Sequence, residues 1–343
     1  METHGSSFRR NNARMKILVT GGAGMIGSHI CRIALERGHK VIIVDNLSSY
    51  PFNYKKLYLR DIIDDIDFFQ INICDKSNLF SVFSECKPDA VIHAAAYADV
   101  GGCIRNYDTD FNNNIIATQN ILDISKYFEV KKFTFISSAS VYGIQNKEIF
   151  NENDLTIPVS TYGNSKLWGE RQTILFHQLY KLPTTSIRYF SVYGAPQVPK
   201  VGSHSWCAAI FALRCLNNLP ITIYGDGNQF RDFTHVKDIA LGTVLATEND
   251  STIGQIFNLG AGVKTTINKV AELVKQQTNY TDTIFKPLPD GDPYGGIADN
   301  TKCKKLLDWS PAISFENGIE SYIEWLKVII DTPEIKTYSS QFL

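Results

Sequence analysis

A glycine-rich turn between two apolar segments near the amino terminus limits the fold more than any other feature of the sequence. Residues 17–19 are apolar, as expected of a strand that is buried on both faces. Glycines follow at positions 21, 24 and 27, and apolar residues then recur at helical spacing as far as Gly38. Residues 41–44 form a second apolar segment, which ends at Asp45. The pattern predicts one βαβ unit of a parallel sheet.

Strand-like and helix-like segments continue to alternate along the chain, which predicts a doubly wound parallel sheet of the Rossmann type. Further strands are expected at residues 68–73, 90–93, 133–136 and 185–188, and long helices at residues 111–128 and 162–180. After residue 189 proline and glycine become more frequent, with short strands at 221–224 and 256–259 and amphipathic helices at 267–277 and 319–329. This later part is expected to form a smaller α/β domain.

The glycine turn also has the composition of a dinucleotide-binding site. Without side chains, it lets backbone N–H groups and the amino terminus of a helix approach a pyrophosphate closely. Asp45 can accept hydrogen bonds from the adenosine ribose, and its negative charge would repel a 2′-phosphate. The sequence therefore favours NAD over NADP.

The overall charge gives no reason to expect nucleic acid or a membrane surface as a partner. The chain has 34 basic and 35 acidic residues, with a formal net charge of −1 and no long basic run. Its seven cysteines are scattered singly, without the spacing of a metal site, and no apolar run approaches the roughly 20 residues of a membrane helix. We expect a cytoplasmic protein with reduced thiols, no metal and a small-molecule partner.

Tyr162 and Lys166 form a second candidate site. They are four residues apart in a predicted helix, so they share a face and the ammonium can lie near the phenol. A free phenol titrates near pH 10, and a neighbouring cation, together with the positive nicotinamide ring, favours the phenolate, so Tyr162 is predicted to accept a proton from an alcohol. A surface pair without function is the alternative, and the serine-rich segment at residues 137–140 speaks against it.

At these residues the chain resembles the extended short-chain dehydrogenase/reductase superfamily, in its nucleotide-sugar epimerase/dehydratase branch, over residues 15–325. Besides the glycine turn and the Tyr162/Lys166 pair, the matching motifs lie at residues 45–49, 93–96, 137–143, 188–194 and 225–232. The resemblance implies that residues 15–188 bind NAD and that residues 189–343 bind a nucleotide sugar, with a discontinuous boundary. It also implies a homodimer formed through residues 111–128 and 162–180. Residues 1–14 are expected to be a disordered extension or tag.

The resemblance further implies the roles of individual residues. Tyr162, Lys166 and Ser138 would be catalytic. The residues expected to bind NAD are Gly21, Gly24, Met25, Ile26, Gly27, Asp45, Asn46, Ser49, Asn72, Ile73, Ala94, Ala95, Ala96, Asn114, Ser137, Tyr162, Lys166, Tyr189 and Val192. The residues expected to bind substrate are Ser138, Ser140, Ser191, Arg231, Asp292 and Gly296.

Several of these positions depart from the usual residues of the family. Asn72 replaces an aspartate that often contacts adenine, although its carbonyl can still accept a hydrogen bond. Ser191 replaces an asparagine, and Pro289 precedes an Asp-Gly-Asp segment where many relatives have an arginine for the diphosphate. Arg231 is the best candidate to grip the nucleotide, unless it only pairs with Asp232. The base, whether UDP, GDP, CDP or dTDP, therefore stays open, and glycine at position 296 suggests a roomy sugar pocket.

Positions 139 and 140 distinguish between reactions of the family, all of which begin by oxidising C4 of the sugar. Dehydratases, decarboxylases and C3/C5 epimerases have acidic residues or a cysteine there, whereas this chain has Ala139 and Ser140. C4 epimerisation through a 4-keto intermediate is therefore the favoured function. A 4-dehydrogenase or 4,6-dehydratase is the alternative, followed by an NAD(H)-sensing protein without catalysis.

Overall fold

The computed structural model describes residues 14–48, 57–199, 206–280, 282–287, 295–333 and 335–336. The strands are β1 (Lys16–Thr20), β2 (Lys40–Asp45), β3 (Ile66–Gln70), β4 (Ala90–His93), β5 (Lys132–Ser138), β6 (Ile149–Phe150), β7 (Thr184–Tyr189), β8 (Ser191–Tyr193), β9 (Ile221–Tyr224), β10 (Phe230–Arg231), β11 (Phe233–His235), β12 (Gln255–Leu259), β13 (Thr265–Thr266), β14 (Thr283–Lys286) and β15 (Ile297–Ala298). The α-helices are α1 (Met25–Glu36), α2 (Lys76–Cys86), α3 (Val100–Arg105), α4 (Tyr107–Asp110), α5 (Ala117–Tyr127), α6 (Thr161–Tyr180), α7 (Cys207–Leu216), α8 (Val236–Glu248), α9 (Ile267–Thr278), α10 (Thr301–Leu307) and α11 (Phe315–Ile329).

Seven strands form one sheet in the order β12-β7-β5-β4-β1-β2-β3, and every neighbouring pair is parallel. The strand order reverses beside β1, because the chain proceeds from β1 through β2 to β3 and then returns to place β4 on the other side. Ligands of such sheets bind outside the carboxyl ends of the strands at this reversal. The predicted Rossmann-type fold is confirmed, and its switch point lies between Thr20 and His93.

Alternating residues of β1 supply the two faces of the sheet with separate apolar layers. Ile17 and Val19 pack into the cluster that contains α1 and α8, whereas Leu18 packs into the cluster with α2 and α5. All three side chains are fully buried. This burial on both faces is the physical reason why the strand is a continuous apolar run in the sequence.

The chain after residue 189 does not stay in one unit. Helices α7, α9 and α11 pack with β9 around a second apolar core. Helix α8 returns to cover α1, and β12 extends the main sheet beside β7. The later part of the chain therefore contributes both to the sheet that carries the dinucleotide motif and to the smaller core above it.

Two expected elements differ in detail from the structure. The strand expected at residues 68–73 lies at Ile66–Gln70, because the Asn72 carbonyl accepts a hydrogen bond from the backbone N–H of Cys74 and turns the chain (3.0 Å). The helix expected at residues 111–128 is continuous in space, but Phe111–Ile116 is a π-helical segment between α4 and α5. π-Helical segments are rare and often occur at functional sites.

Within the described ranges, no helix is both long and apolar enough to cross a membrane. Residues 1–13 of the expected extension lie outside the described residues, as do Ser49 and Asp292.

Candidate active site

The glycine turn brings β1, α1 and the end of β4 into close contact. Gly21 has φ +70°, and a Cβ there would lie 2.7 Å from the Cα of Ala95. A Cβ on Gly27 would lie 2.1 Å from the carbonyl oxygen of Gly21. No side chain fits at either position without movement of the backbone. These two positions carry no side chain because neighbouring backbone atoms occupy the space that a Cβ would need.

Asp45 ends β2 beside this turn and is held by two backbone donors. Its carboxylate accepts hydrogen bonds from the N–H groups of Ala23 (3.1 Å) and Leu47 (2.8 Å), one on each oxygen. Burial raises the pKa of this carboxyl above its usual range, and the two hydrogen bonds oppose the shift. Each carboxylate oxygen can accept a second hydrogen bond, so the orientation suits a ribose diol.

The other residues expected to bind NAD differ in what they offer. Met25 and Ile26 open α1, Ala94–Ala96 follow β4 and Val192 is half-buried in β8, whereas Ile73 is buried. Asn46 and Asn72 use their side-chain carbonyls for local turns, with Ser48 and Cys74 respectively. Asn72 is exposed, and its carbonyl is thus already engaged once where the sequence suggested a free acceptor.

Three expected cofactor residues point their side chains into the protein. The Ser137 hydroxyl donates to Glu170 Oε1 (2.5 Å), and the Tyr189 hydroxyl pairs with Thr243 Oγ1 on α8 (2.5 Å). The Asn114 amide clamps the backbone of Tyr97, accepting from its N–H (2.8 Å) and donating to its carbonyl (3.1 Å). Any cofactor contact of Ser137 and Tyr189 is therefore a backbone contact, and Asn114 shapes the loop that follows Ala94–Ala96.

The three residues expected to be catalytic lie together at the amino terminus of α6. Ser160 caps this helix through the N–H of Gly163 (3.0 Å), which places Tyr162 in the first turn. The Tyr162 phenol lies close to the side chain of Ser138, at the end of β5, and the Ser138 hydroxyl donates to Ser140 Oγ (3.1 Å). The Lys166 ammonium lies 5.9 Å from the centre of the Tyr162 ring and donates to the carbonyl of Ile136 (2.9 Å).

The sequence predicts that Lys166 and the positive nicotinamide ring together lower the pKa of Tyr162, and the burial of the phenol acts in the opposite direction. Burial raises the pKa of Tyr162 well above its usual value, and the Ser138 hydroxyl only partly opposes this shift. Burial also lowers the pKa of Lys166 to about 8. Burial disfavours the charged form of both groups, so forming a phenolate here requires the positive charge of the nicotinamide ring that the prediction includes.

Among the residues expected to bind substrate, Ser140 lies beside this end of α6, where a Cβ on Gly163 would be 2.6 Å from the Ser140 carbonyl oxygen. Ser140 donates its backbone N–H to Ser138 Oγ (3.1 Å), and the Ser191 N–H bonds the carbonyl of Asp232 (3.0 Å). Arg231 Nη1 donates to the carbonyl of Phe230 (2.8 Å). A Cβ on Gly296 would lie 3.2 Å from the Phe150 ring, so a larger residue there would press on Phe150.

The sequence left open that Arg231 only forms an ion pair with Asp232, but Asp232 has other hydrogen-bond partners in the structure. Its buried carboxylate accepts the backbone N–H groups of Ala261, Gly262 and Ala298, each at 2.9 Å. Burial raises the pKa of this carboxyl to about 6. Asp232 therefore joins the loop after β12 to β15, directly beside Arg231.

Comparison with known proteins agrees with this geometry. Residues 17–260 match the sequence model of the NAD dependent epimerase/dehydratase family. The chain belongs to this family. A putative UDP-glucose 4-epimerase of Methanocaldococcus jannaschii is 34% identical over 313 residues, which span 91% of this chain and 98% of that protein.

Solved structures of similar sequence share the fold over nearly the whole chain. The UDP-glucose 4-epimerase of Thermotoga maritima, solved with UDP-glucose, aligns with a TM-score of 0.86 and 35% identity over 92% of this chain and 100% of that one. The UDP-glucuronic acid 4-epimerase of Bacillus cereus, solved with UDP-glucuronic acid and NAD, aligns with a TM-score of 0.84 and 31% identity, again over 92% and 100%. The resemblance inferred from the motifs is confirmed.

NAD is the cofactor of this epimerase/dehydratase family, and the residues present fit it. Helix α1 begins at Gly24 without a side-chain cap and has no acidic residue in its first turn, so its terminal N–H groups can meet a pyrophosphate. Asp45 lies where the ribose of a dinucleotide on this turn would reach it.

Sequence reasoning missed two buried acidic groups near the site. Glu170 forms a two-point ion pair with Arg188 (2.8 Å for both contacts), and Asp110 accepts hydrogen bonds from Asn114 and Ser165. Glu170 lies on the same predicted helix as Tyr162, two turns later, which is a signal for a shared face. No local pattern marks Asp110.

Proposed function

We propose that this protein is an NAD-dependent nucleotide-sugar 4-epimerase. The observation that carries the proposal is the meeting of Tyr162, Ser138 and Lys166 at the carboxyl end of β5, next to a turn containing Ala139 and Ser140. The first three residues suit the oxidation of an alcohol. Neither Ala139 nor Ser140 has an acidic or thiol group that could take a proton from a carbon beside a ketone.

In this reaction Tyr162 takes the proton of the C4 hydroxyl while C4 loses a hydride. Oxidised NAD, held by the glycine turn and Asp45, would supply the acceptor for this hydride and a positive ring beside the site. The Ser138 hydroxyl aligns the sugar oxygen, because it lies beside the phenol that receives the proton. Lys166 and the amino terminus of α6 favour negative charge on the phenol oxygen.

Epimerisation then requires the 4-keto sugar to turn over while its nucleotide stays bound. Binding should therefore be concentrated on the diphosphate and base. Arg231 is suited to the diphosphate, because a guanidinium offers paired donors to phosphate oxygens and Asp232 fixes the strand beside it. Glycine at position 296 adds no side chain to the sugar pocket, which supports the proposal that the pocket admits an N-acetylated sugar.

The nucleotide proposed for this chain is UDP. The support is that the similar proteins described above are named as epimerases of UDP-sugars. A cytoplasmic location is part of the same proposal. So is the division of labour in which residues 15–188 bind NAD and most of residues 189–343 bind the nucleotide sugar.

We also propose that the enzyme is a homodimer. Large apolar side chains are exposed on the helices that the sequence assigned to the interface, residues 111–128 and 162–180, and they include Phe111 (50%), Ile116 (37%), Leu175 (42%) and Leu179 (65%). Helix α6 packs against the π-helical segment, so these residues belong to one helical layer. Isolated exposed residues are normal, but a group on two adjacent helices is typical of a contact surface.

The function is tested by incubating the purified protein with UDP-glucose, UDP-glucuronic acid and UDP-N-acetylglucosamine and following products by NMR. We expect the C4 epimer of at least one sugar, with deuterium at C4 of a labelled substrate retained in the product. Reaction in D₂O should leave C3 and C5 unlabelled, because Ala139 and Ser140 supply no acid/base group for them. A 6-deoxy product, a stable 4-keto product or solvent label at C5 would contradict the proposal.

Catalysis by the named residues is tested by Tyr162→Phe, which should abolish both epimerisation and the reduction of bound NAD by substrate. A Tyr162→Phe protein that still reduced its NAD would contradict the assigned base. A wild-type protein that binds UDP-sugars without turnover would favour the NAD(H)-sensing alternative.

A further inference from the structure

Asp110 is a buried acidic residue next to the catalytic helix that the proposed reaction does not use. Its side chain is 4% exposed, and it ends α4 directly before the π-helical segment. Asp110 Oδ1 accepts hydrogen bonds from Asn114 Nδ2 (2.5 Å) and from Ser165 Oγ (3.0 Å). The Cys103 thiol is close to this carboxylate but donates its hydrogen bond to the carbonyl of Tyr97 (3.3 Å). The two donors to Asp110 come from different parts of the fold, and both are uncharged.

The partners of Asp110 link it to both sides of the site. Ser165 lies on α6 between Tyr162 and Lys166, and its hydroxyl also bonds the carbonyl of Tyr162 (2.9 Å). Asn114 clamps Tyr97 in the loop after β4. Through these hydrogen bonds the Asp110 carboxylate connects α6, which carries Tyr162 and Lys166, to the loop that contains Ala94–Ala96.

The ammonium of Lys166 needs a negative counter-charge, because its side chain is 4% exposed and its hydrogen-bond acceptor is the neutral carbonyl of Ile136. Among the described residues, Asp110, Cys103 and Glu170 act on it as negative groups, and His93 and Tyr162 are the other titratable side chains nearby. Burial keeps His93 neutral by lowering its pKa to about 3.

Two of the three negative groups contribute little net charge. Glu170 is neutralised by its two-point ion pair with the buried Arg188. The pKa of the Cys103 thiol is raised to about 12 by burial, so this residue is uncharged at neutral pH. In the described part of the chain, Asp110 is the remaining carboxylate whose charge acts on Lys166. Its hydrogen-bond donors are the uncharged side chains of Asn114 and Ser165.

We propose that Asp110 is a positioning residue that serves as the counter-ion of Lys166 and keeps its ammonium protonated while Tyr162 exchanges its proton. The inference rests on the proposed function of the Tyr162/Lys166 pair. Burial has already lowered the pKa of Lys166 to about 8. An opposite charge nearby typically shifts a pKa by about 1–3 units, so loss of the Asp110 charge should move Lys166 to a value near or below neutral pH.

The discriminating variant is Asp110→Asn, because an amide oxygen in the place of Oδ1 can still accept from both Asn114 and Ser165. The matched control is Asp99→Asn, which neutralises another buried carboxylate, at the start of α3, that does not act on Lys166. The probes are the ¹³Cε resonance of Lys166, assigned by its absence in Lys166→Arg, and the pH dependence of kcat and KM for a UDP-sugar.

We expect Asp110→Asn to move both the Lys166 titration and the alkaline limb of kcat to lower pH by about one unit or more. A shift from 8 to 7 reduces the protonated fraction at pH 8 about fivefold and barely changes it at pH 6, so kcat should fall about fivefold at pH 8 and less than twofold at pH 6. KM should change less than twofold. Asp99→Asn should leave the alkaline limb of kcat at its wild-type pH. Asp110→Glu, which keeps the negative charge, should return the limb most of the way to that pH.

An Asp110→Asn protein with an unshifted Lys166 resonance would overturn the proposal, and so would equal loss of activity at all pH values. If Asp110→Asn does not fold, Asp110→Ser replaces it with the same expected shift, and an unshifted resonance there has the same meaning. The lysine resonance does not depend on turnover. Retained turnover in Tyr162→Phe would instead refute the proposed function, whatever Asp110→Asn shows.

Discussion

Neutralising Glu170 should destabilise the protein strongly, because the charge of Arg188 would then be buried without a partner. The Arg188 side chain is 4% exposed and that of Glu170 is fully buried. Both guanidinium contacts to Glu170 are 2.8 Å, the Ser137 hydroxyl donates to the same carboxylate, and the guanidinium lies 4.8 Å from the centre of the Tyr142 ring. Glu170→Gln keeps the shape of the side chain and removes its charge.

The expected loss in the free energy of unfolding is about 3–5 kcal/mol, as for other buried pairs in which one partner is removed. The introduced glutamine could accept from Arg188 Nε and from Ser137, but its amide N–H groups would face Arg188 Nη2, so one charged donor loses its acceptor. Removing the guanidinium as well, in Glu170→Gln/Arg188→Met, takes away the unpaired charge. The double variant should therefore be no less stable than Glu170→Gln.

The assay is urea unfolding of the wild type, both single variants and the double variant, with slopes compared to confirm similar unfolded states. A double-mutant cycle then isolates the coupling between the two side chains. A cost of less than about 1 kcal/mol for Glu170→Gln would refute the reasoning, because it would mean that water or a local movement neutralises Arg188. A double variant less stable than either single variant would also refute it.

Three further expectations follow from the described contacts. Gly27→Ala should reduce the NAD retained after purification, measured in acid extracts, because its Cβ would meet a carbonyl oxygen at 2.1 Å; Gly101→Ala, which meets only a flexible arginine tip at 3.1 Å, should retain it. Burial lowers the pKa of Lys132 to about 7, whereas a lysine in an unfolded chain has a pKa of about 10.4. Between these two pH values the unfolded state therefore binds the lysine proton more tightly than the folded state does. The stability of the wild type relative to Lys132→Met in urea unfolding should therefore rise between about pH 7 and 9.5, and a flat difference would contradict the lowered pKa. Leu179→Glu should give monomers in light scattering, whereas Val328→Glu, at an 80% exposed position on α11, should not; a Leu179→Glu dimer would count against the proposed interface.

Local patterns were enough to predict the doubly wound sheet. The strand at residues 16–20, the glycine turn and α1 follow from apolar runs and glycine spacing, which act within a few residues. The end of β3 and the π-helical segment did not follow, because side-chain bonds of Asn72 and Asn114 alter the backbone there. The roles assigned to site residues by resemblance stay predictions. The structure adds the direction of each side chain, which the sequence does not give: Ser137 and Tyr189, for example, point into the protein.

The sequence by itself determined the fold class, the cofactor and the presence of a tyrosine and a lysine on one helical face, because each depends on spacing within a single element. The tertiary structure alone decided the charges around that pair. Asp110 acts on Lys166 from another helix, Arg188 neutralises Glu170 from a strand, and burial raises the pKa of Tyr162, against the direction expected from Lys166 and the nicotinamide ring. Desolvation and long-range charge depend on what surrounds a group in space, and spacing along the chain does not contain that information.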